Sequence, residues 1–188
     1  MENISNYGVT LKLLTHDKIE MVRQWRNDPK IQQYMEYREE ISQDMQEKWY
    51  QKISNSGRDY YFIISYKGED VGLINMKDFN EDMTEAEAGV FIYDDKYLNT
   101  DLSYRAHIVM LDYFYQEREL EYTISHILKT NHRAQRFALF LGSKLCDGQD
   151  DVENQKYIMN KEDYLNNKNR LRFLKREEFL KAKHNSNI

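Results

Sequence analysis

A chain of 188 residues, 40% of them apolar and carrying a net charge of −5, suits one domain with a real core and argues against a general nucleic-acid binder. Its single cysteine, Cys146, excludes an intramolecular disulfide, and no His/Cys/Asp group has metal-ligand spacing, so no metal is expected. No run approaches the ~18 apolar residues of a membrane span and no basic head precedes an apolar stretch, so the chain reads as soluble and cytoplasmic, without a membrane partner.

Residues 1–7 read as a disordered leader. Val9 to Leu14 alternates as a strand, with Val9, Leu11 and Leu13 on one side. Thr15 or Asp17 caps a first helix through Ile19, Val22 and Trp25, and Pro29, the only proline, stops it. Trp25, Arg26 and Asn27, followed by Met35, gather polar groups at the mouth of that helix. Core packing competes as the reading of Trp25, and helix-end capping as that of Arg26 and Asn27. A second helix starts near Ser42, presents Met45, Trp49 and Ile53 as a stripe, and closes at Asn55-Ser56-Gly57.

Tyr60 to Tyr66 is a dense strand, Lys67-Gly68-Glu69-Asp70 a hairpin turn, and Val71 to Asp78 the returning strand. An acidic connection, Asn80 to Thr84, leads into the next strand, where Val90, Phe91, Ile92 and Tyr93 run unbroken and Gly89 marks a bulge or a close approach. A polar loop, Asp94 to Thr100, enters a helix at Leu102 with Asp101 as N-cap. Leu102, Ala106, Val109, Met110 and Tyr113 repeat along that helix at its own period. Strand, loop and helix start together make a place where backbone N–H groups can meet an anion.

Tyr122 to Leu128 alternates again. Asn131 opens a helix through Ala134, Phe137, Ala138 and Leu141, with Gly142 as terminator. Lys144 to Cys146 and Val152 to Met159 form a closing hairpin, and Asn160 caps a final helix through Tyr164, Leu171, Leu174 and Phe179. Residues 160–188 hold 8 Lys/Arg and 4 Asp/Glu, a charge of +4, which leaves 19 and 28, or −9, on the rest. That appended basic helix is either a solvated counterweight to an acidic body or a surface for a phosphate or acidic partner. No repeat or linker interrupts residues 1–188, so a single domain is expected. Its α/β (α+β) order predicts a mixed, mostly antiparallel central sheet, helices on both faces and a C-terminal helix.

From Val9 to Met159 this order resembles the GNAT superfamily of acetyl-CoA-dependent N-acyltransferases, whose fourth strand leads through a Gln/Arg-x-x-Gly-x-Gly/Ala pyrophosphate loop into a long helix. Here Leu98 stands at the Gln/Arg position, and Asn99, Asp101 and Ser103 stand where glycines usually sit. The resemblance implies that acetyl-CoA is the co-substrate. Phe91, Ile92 and Tyr93 would lie along its pantetheine arm, and Leu98, Asn99, Thr100, Asp101, Leu102, Ser103 and Tyr104 about its pyrophosphate. The helix from Asn131 fits the family's Asn-x-x-Ala pattern, which implies that Asn131 contacts the coenzyme. Ala138 stands at the position of the tyrosine that protonates the departing thiolate, as in the ribosomal-protein acetyltransferase branch. Asp101 is expected either to repel the diphosphate, by about 1–4 kcal/mol at ~4 Å, or to cap the helix and occupy the N–H groups the phosphate needs.

Trp25-Arg26-Asn27, Met35, Glu47-Lys48-Trp49 and Tyr61-Phe62-Ile63 are similar to acetyltransferases of bacterial surface-sugar biosynthesis, of the pseudaminic-acid-pathway type. That likeness implies an acceptor pocket lined by Trp25, Arg26, Asn27 and Met35, the arginine fork suiting a nucleotide-sugar diphosphate. Glu87 is the first candidate for the base and Asp78 the second. Glu87 reads equally as a solvent-facing strand residue. His107 and His126 titrate in the useful range, each on a regular element where a surface or core histidine is commoner. The expected activity is acetyl transfer from acetyl-CoA to a small-molecule amine, above all a nucleotide-linked amino sugar. A silent GNAT-fold binding module and a protein N-terminal amine acetyltransferase remain open, and a homodimer is among the family's common assemblies.

Overall fold

The computed structural model describes residues 3–185. A short hairpin, β1 (Ile4–Asn6) and β2 (Val9–Leu13), leads through a 3-10 turn at His16–Lys18 into α1 (Ile19–Asn27), α2 (Pro29–Gln32) and α3 (Gln43–Ser56). Three strands follow, β3 (Tyr60–Tyr66), β4 (Glu69–Lys77) and β5 (Glu85–Ile92), then α4 (Leu102–Glu117), β6 (Tyr122–Leu128) and α5 (His132–Leu141). The hairpin β7 (Lys144–Leu145) and β8 (Asn154–Asn160) closes the sheet, and α6 (Lys161–Leu165) and α7 (Lys168–Asn185) end the described chain. The strands form one eight-stranded sheet in the order β1-β2-β3-β4-β5-β6-β8-β7. Every neighbouring pair is antiparallel except β5 and β6, which are parallel.

Local chemistry sets most boundaries. Ser42 accepts from the Met45 N–H at the start of α3 and Asn131 from Ala134 at the start of α5, each satisfying an orphan donor. Gly57 and Gly142 end these helices at φ +64° and +110°, left-handed values that a Cβ disfavours. Pro29 does more than stop α1. It opens α2 at the first helical position, where its missing N–H costs nothing, while Asp28 caps from outside. Asn80 holds the turn before β5, accepting from the N–H groups of Thr84 and Glu85.

The sheet has helices on both faces. The main core lies between one face and α4, where Phe62, Ile64, Ile74 and Met76 meet Ile108, Met110 and Phe114, all at most 1% exposed. The other face carries a smaller core in which Ile63 and Leu73 meet Ile19, Val22, Trp25 and Ile53 of α1 and α3. Strand alternation therefore sends Ala88, Val90 and Ile92 of β5 towards α4, and Phe91 and Tyr93 towards α1.

Several expectations are corrected. Of the expected leader, residues 1 and 2 lie outside the described residues, while Ile4–Asn6 is a strand paired with Val9–Leu11. Neither Thr15 nor Asp17 caps α1: the Thr15 hydroxyl donates to the Asp17 carboxylate, 2.6 Å away, beside the 3-10 turn. The hairpin after β3 turns on Lys67-Gly68 alone, both left-handed at φ 52° and 85°, and Glu69 already pairs with Tyr66. In α3 it is Gln46, donating to the Ile19 carbonyl, that is buried, while Met45 is 41% exposed. The final helix breaks between α6 and α7, and its expected apolar positions divide: Tyr164 is buried and Leu174 packs against the core, while Leu171 is 43% and Phe179 67% exposed. The buried side is Arg170, Phe173 and Glu177, because the partners it meets on α4 include Asp112 and Arg105. No described helix is long and apolar enough to cross a membrane.

Candidate active site

The parallel pair in mid-sheet is paired for only three residues. Glu85, Ala86 and Glu87 face Tyr122, Thr123 and Ile124, after which β5 runs on to Ile92 and β6 to Leu128 without each other. Just past the last rung the Ser125 hydroxyl donates to the Ala88 carbonyl at 3.2 Å. Beyond it lies a seam. The Tyr93 N–H donates to the Val71 carbonyl on the β4 side. Alternation therefore turns the N–H groups of Val90 and Ile92 the other way, into the seam. Of the residues expected along a pantetheine arm, Ile92 offers its N–H there, while Phe91 and Tyr93 present side chains to the α1 face.

Glu87 stands where the strands part. Its Oε2 is 2.8 Å from His126 Nδ1, across the seam on β6, and its Oε1 is 3.1 Å from Lys77 Nζ on β4. Lys77 also meets Asp78 at 2.6 Å. Burial lowers the Lys77 pKa, but the two carboxylates outweigh it and hold the amine above its ordinary value. Donation from His126 Nδ1 to Glu87 leaves Nε2 of the neutral ring as an acceptor. Asp78 sits at the exposed end of β4 at φ 52°, its N–H taken by Asp59. Lys77 and the Glu87–His126 contact were not singled out together in the sequence, since 39 residues separate the last two.

The wall beside this cluster is aromatic. Trp25 stacks on Tyr93 at 5.2 Å and meets Phe91 edge-on, and Trp49 meets Tyr61 edge-on at 5.0 Å. Arg26 follows Trp25 into it. Its Nε is buried without a hydrogen-bond partner, and no carboxylate pairs with it among the described residues. Desolvation pulls its pKa down, and only the Tyr61 hydroxyl pulls back. Tyr61, pushed up to about 12 by burial, is the register partner of Asn75 on β4, and Asn75 that of Gly89 on β5. The Asn75 amide lies over Gly89, where a Cβ would come within 2.9 Å of its Oδ1, and its Nδ2 is a second buried donor without a partner. A polar residue amid the apolar run VGLINM was the one sequence signal for it. Asn27 turns elsewhere, exchanging two hydrogen bonds with the Ile41 backbone. Met35, partly buried, lies in the segment so held and accepts from Arg38 at its carbonyl.

The loop from β5 to α4 accommodates the missing glycines. Asn99 takes the left-handed conformation at φ 64°. The Thr100 hydroxyl donates to Tyr97 and accepts from the Leu102 N–H. Leu98, Leu102 and the Tyr104 ring pack into the core, so they offer the loop only backbone. Asp101 occupies the N-cap position but its side chain caps nothing. It turns instead to Arg105, at 3.0 Å, with Arg176 of α7 at 3.8 Å. The N–H groups of Ser103 and Tyr104 carry no hydrogen bond among the described residues, so the helix start is open to an anion, and the Asp101 charge is answered by arginine. This donor set fits a diphosphate. At α5, Asn131 uses its carbonyl oxygen as a cap, leaving its amide NH2. Ala138 packs with Ile127 and Tyr157, so the Tyr157 ring from β8 lies against the position where a tyrosine is absent. Among the described residues, no three His, Cys, Asp or Glu side chains are grouped to hold a metal ion.

Comparison with known proteins agrees with this geometry. The model of the acetyltransferase (GNAT) domain matches residues 9–144. Among solved structures, spermidine N-acetyltransferase from Vibrio cholerae, in complex with CoA and spermine, is 19% identical, with 86% of this chain and 100% of that one covered at a TM-score of 0.74. FdhC, a nucleotide-linked sugar GNAT in its apo form, is 23% identical over 88% and 94% of the two chains, TM-score 0.72. The aminoglycoside acetyltransferase AAC(6')-Ib with coenzyme A is 15% identical over 83% and 96%, TM-score 0.70. At these identities the likeness is one of fold. No curated protein matches at a significant level.

Proposed function

The chain belongs to the GNAT acetyltransferase family, and from that premise we propose that it is an N-acetyltransferase acting on the amine of a nucleotide-linked amino sugar. Acetyl-CoA supplies the acetyl group as a thioester. The seam edge of β5, Val90 and Ile92, offers N–H groups to its pantetheine arm and to the oxygen that gains charge during transfer. The Ser103 and Tyr104 N–H groups, presented by the loop from Leu98 to Tyr104, receive the pyrophosphate, and the Asn131 amide lies at the neighbouring helix start.

Glu87 and His126 act on the acceptor. The amine arrives largely protonated and attacks only as the free base, so a group at the seam must take its proton. Glu87 is fixed there by Lys77 and His126, and the pair accepts that proton directly or through water. Asp78 shares Lys77 but is more exposed, and ranks second.

The acceptor reading is carried by one observation, the unpaired Arg26. A half-buried cation with no counter-ion is costly, and a ligand that brings an anion removes the cost. Polyamine and aminoglycoside acceptors, which the other similar proteins named above bind, are cations and would add to it. A sugar diphosphate matches the guanidinium fork, with Trp25, Phe91 and Tyr93 forming the aromatic wall beside it. The test pairs Arg26→Met with a panel of acceptors. The variant should be more stable than wild type without substrate, by about 1–4 kcal/mol, yet turn over nucleotide-linked amino sugars at least tenfold more slowly. Unchanged kcat/KM for those sugars, or a preference for spermidine or a peptide amine in the natural protein, would sink the sugar reading.

A further inference from the structure

Helix α7 begins at Lys168, beyond residues 9–144 that the family model matches. It is nevertheless fixed against α4. Arg170 pairs with Asp112 at 2.7 Å, Phe173 meets the Tyr104 ring edge-on, and Glu177 pairs with Arg105 at 2.9 Å. The order of these contacts, from Asp112 back to Arg105, shows that α7 runs antiparallel to α4. Its third and fourth turns therefore arrive beside the start of α4. Arg176 lies there, 3.8 Å from Asp101 and 63% exposed.

The loop itself brings no free cation. Leu98, at the position where the family pattern has Gln or Arg, packs against the core. Lys96 is held by Glu69 and Asp94, and Lys30 by Asp95 and the Tyr93 ring. Arg105 is 14% exposed and committed to Asp101, Glu177 and the Tyr7 carbonyl. Arg176 differs from all of these. Its contact with Asp101 is longer than a hydrogen bond, Asp101 already has Arg105, and the guanidinium stands in solvent 3.8 Å from the carboxylate of the residue that precedes α4.

We infer that Arg176 of the terminal helix grips the pyrophosphate of acetyl-CoA, replacing the cation and the glycines that the loop lacks. The inference rests on the coenzyme site proposed above. Chemically, the N–H groups bind one face of the diphosphate and the planar fork takes two oxygens on another, a bidentate contact that a loop lysine could not copy. Asp101 stays on Arg105, so the incoming phosphate meets a neutralised carboxylate. The basic tail is on this account a part of the coenzyme site, held in place by the Arg170–Asp112 pair.

Calorimetric titration with acetyl-CoA and with 3′-dephospho-CoA tests it, using the natural protein, Arg176→Ala, Asp101→Asn and the double variant. Circular dichroism melting checks that each variant folds. Arg176→Ala should weaken both ligands about tenfold, and should do so equally in the Asp101→Asn background. A loss that disappears in that background would mean that Arg176 only offsets Asp101, and would overturn the inference. So would a loss confined to acetyl-CoA, which would move the contact to the 3′-phosphate, or no loss at all. A natural protein that binds neither ligand refutes the coenzyme site itself, a result distinct from any of these.

Discussion

His107 shows how one residue can carry a pH dependence that has nothing to do with catalysis. Its Nδ1 donates to the Ser103 carbonyl one turn earlier on α4, and its ring meets Phe137 of α5 edge-on at 4.9 Å. Complete burial pushes its pKa down from 6.5 to about 4, only partly opposed by that hydrogen bond. The unfolded chain therefore binds a proton that the folded chain refuses between these values. The stability this contributes is full above about pH 6.5 and is lost as the pH falls towards 4. Between pH 7 and pH 5 the loss should be on the order of 2 kcal/mol, read from urea midpoints. His107→Gln should flatten that part of the curve, and an unchanged slope would show that other groups carry it. The sequence revealed that His107 could titrate near neutrality but not that it would be dry, because burial is decided by α5, which arrives 25 residues later.

Close approach of β4 and β5 is a property of the pair, and two glycines test it differently. A Cβ on Gly72 would collide with the Phe91 carbonyl oxygen, backbone that cannot move without breaking the ladder. A Cβ on Gly89 would meet only the Asn75 amide, a side chain that can turn aside. Gly72→Ala should therefore cost about 1–3 kcal/mol by chemical denaturation, and Gly89→Ala less than half as much, while the latter displaces Asn75 and lowers acceptor turnover. Equal losses would mean that the Asn75 amide is as fixed as backbone. Elements whose signals are local were legible: Ser42 with Gly57, Asn131 with Gly142, the alternation of β2 and β6 and the dense apolar run of β3 all follow from neighbours in sequence. Elements that depend on a distant partner were not. The three residues of β1, only Ile4 of them apolar, form a strand because β2 offers an edge. In α7 the apolar positions Leu171 and Phe179 suggested the wrong face, since Asp112 and Arg105 favour charged partners there.

At the scale of the molecule, one buried ion pair fastens the terminal helices to the body. The Arg170 side chain is 8% exposed and that of Asp112 19%, and Asp112 also accepts from the Tyr164 hydroxyl at 2.7 Å. Removing one partner strands the other's charge and hydrogen-bonding capacity. Asp112→Ala should lower stability by about 3–5 kcal/mol in urea denaturation, and adding Arg170→Met should restore most of it. If the single variant lost less than about 1 kcal/mol, the pair would be acting as a surface contact and α7 would be held by Phe173 and the Arg105–Glu177 pair. The fold class was readable because order and period survive without contacts. The candidate site was readable only in part: Glu87 and the loop lie in one stretch, but His126, Lys77 and Asn75 join them only through strand register.

The short parallel ladder between β5 and β6 leaves an unfinished edge inside the sheet rather than at its rim. On the proposed reading the pantetheine arm finishes that edge, so the co-substrate becomes a removable strand. The amide hydrogens of Val90 and Ile92 then exchange quickly with solvent in the empty protein and slowly in the filled one. Occupancy at a hundredfold excess over Kd adds about 2.7 kcal/mol to stability by mass action. Proteolytic lifetime would then follow supply: a cell short of acetyl-CoA clears its copies of this chain faster than one well provided.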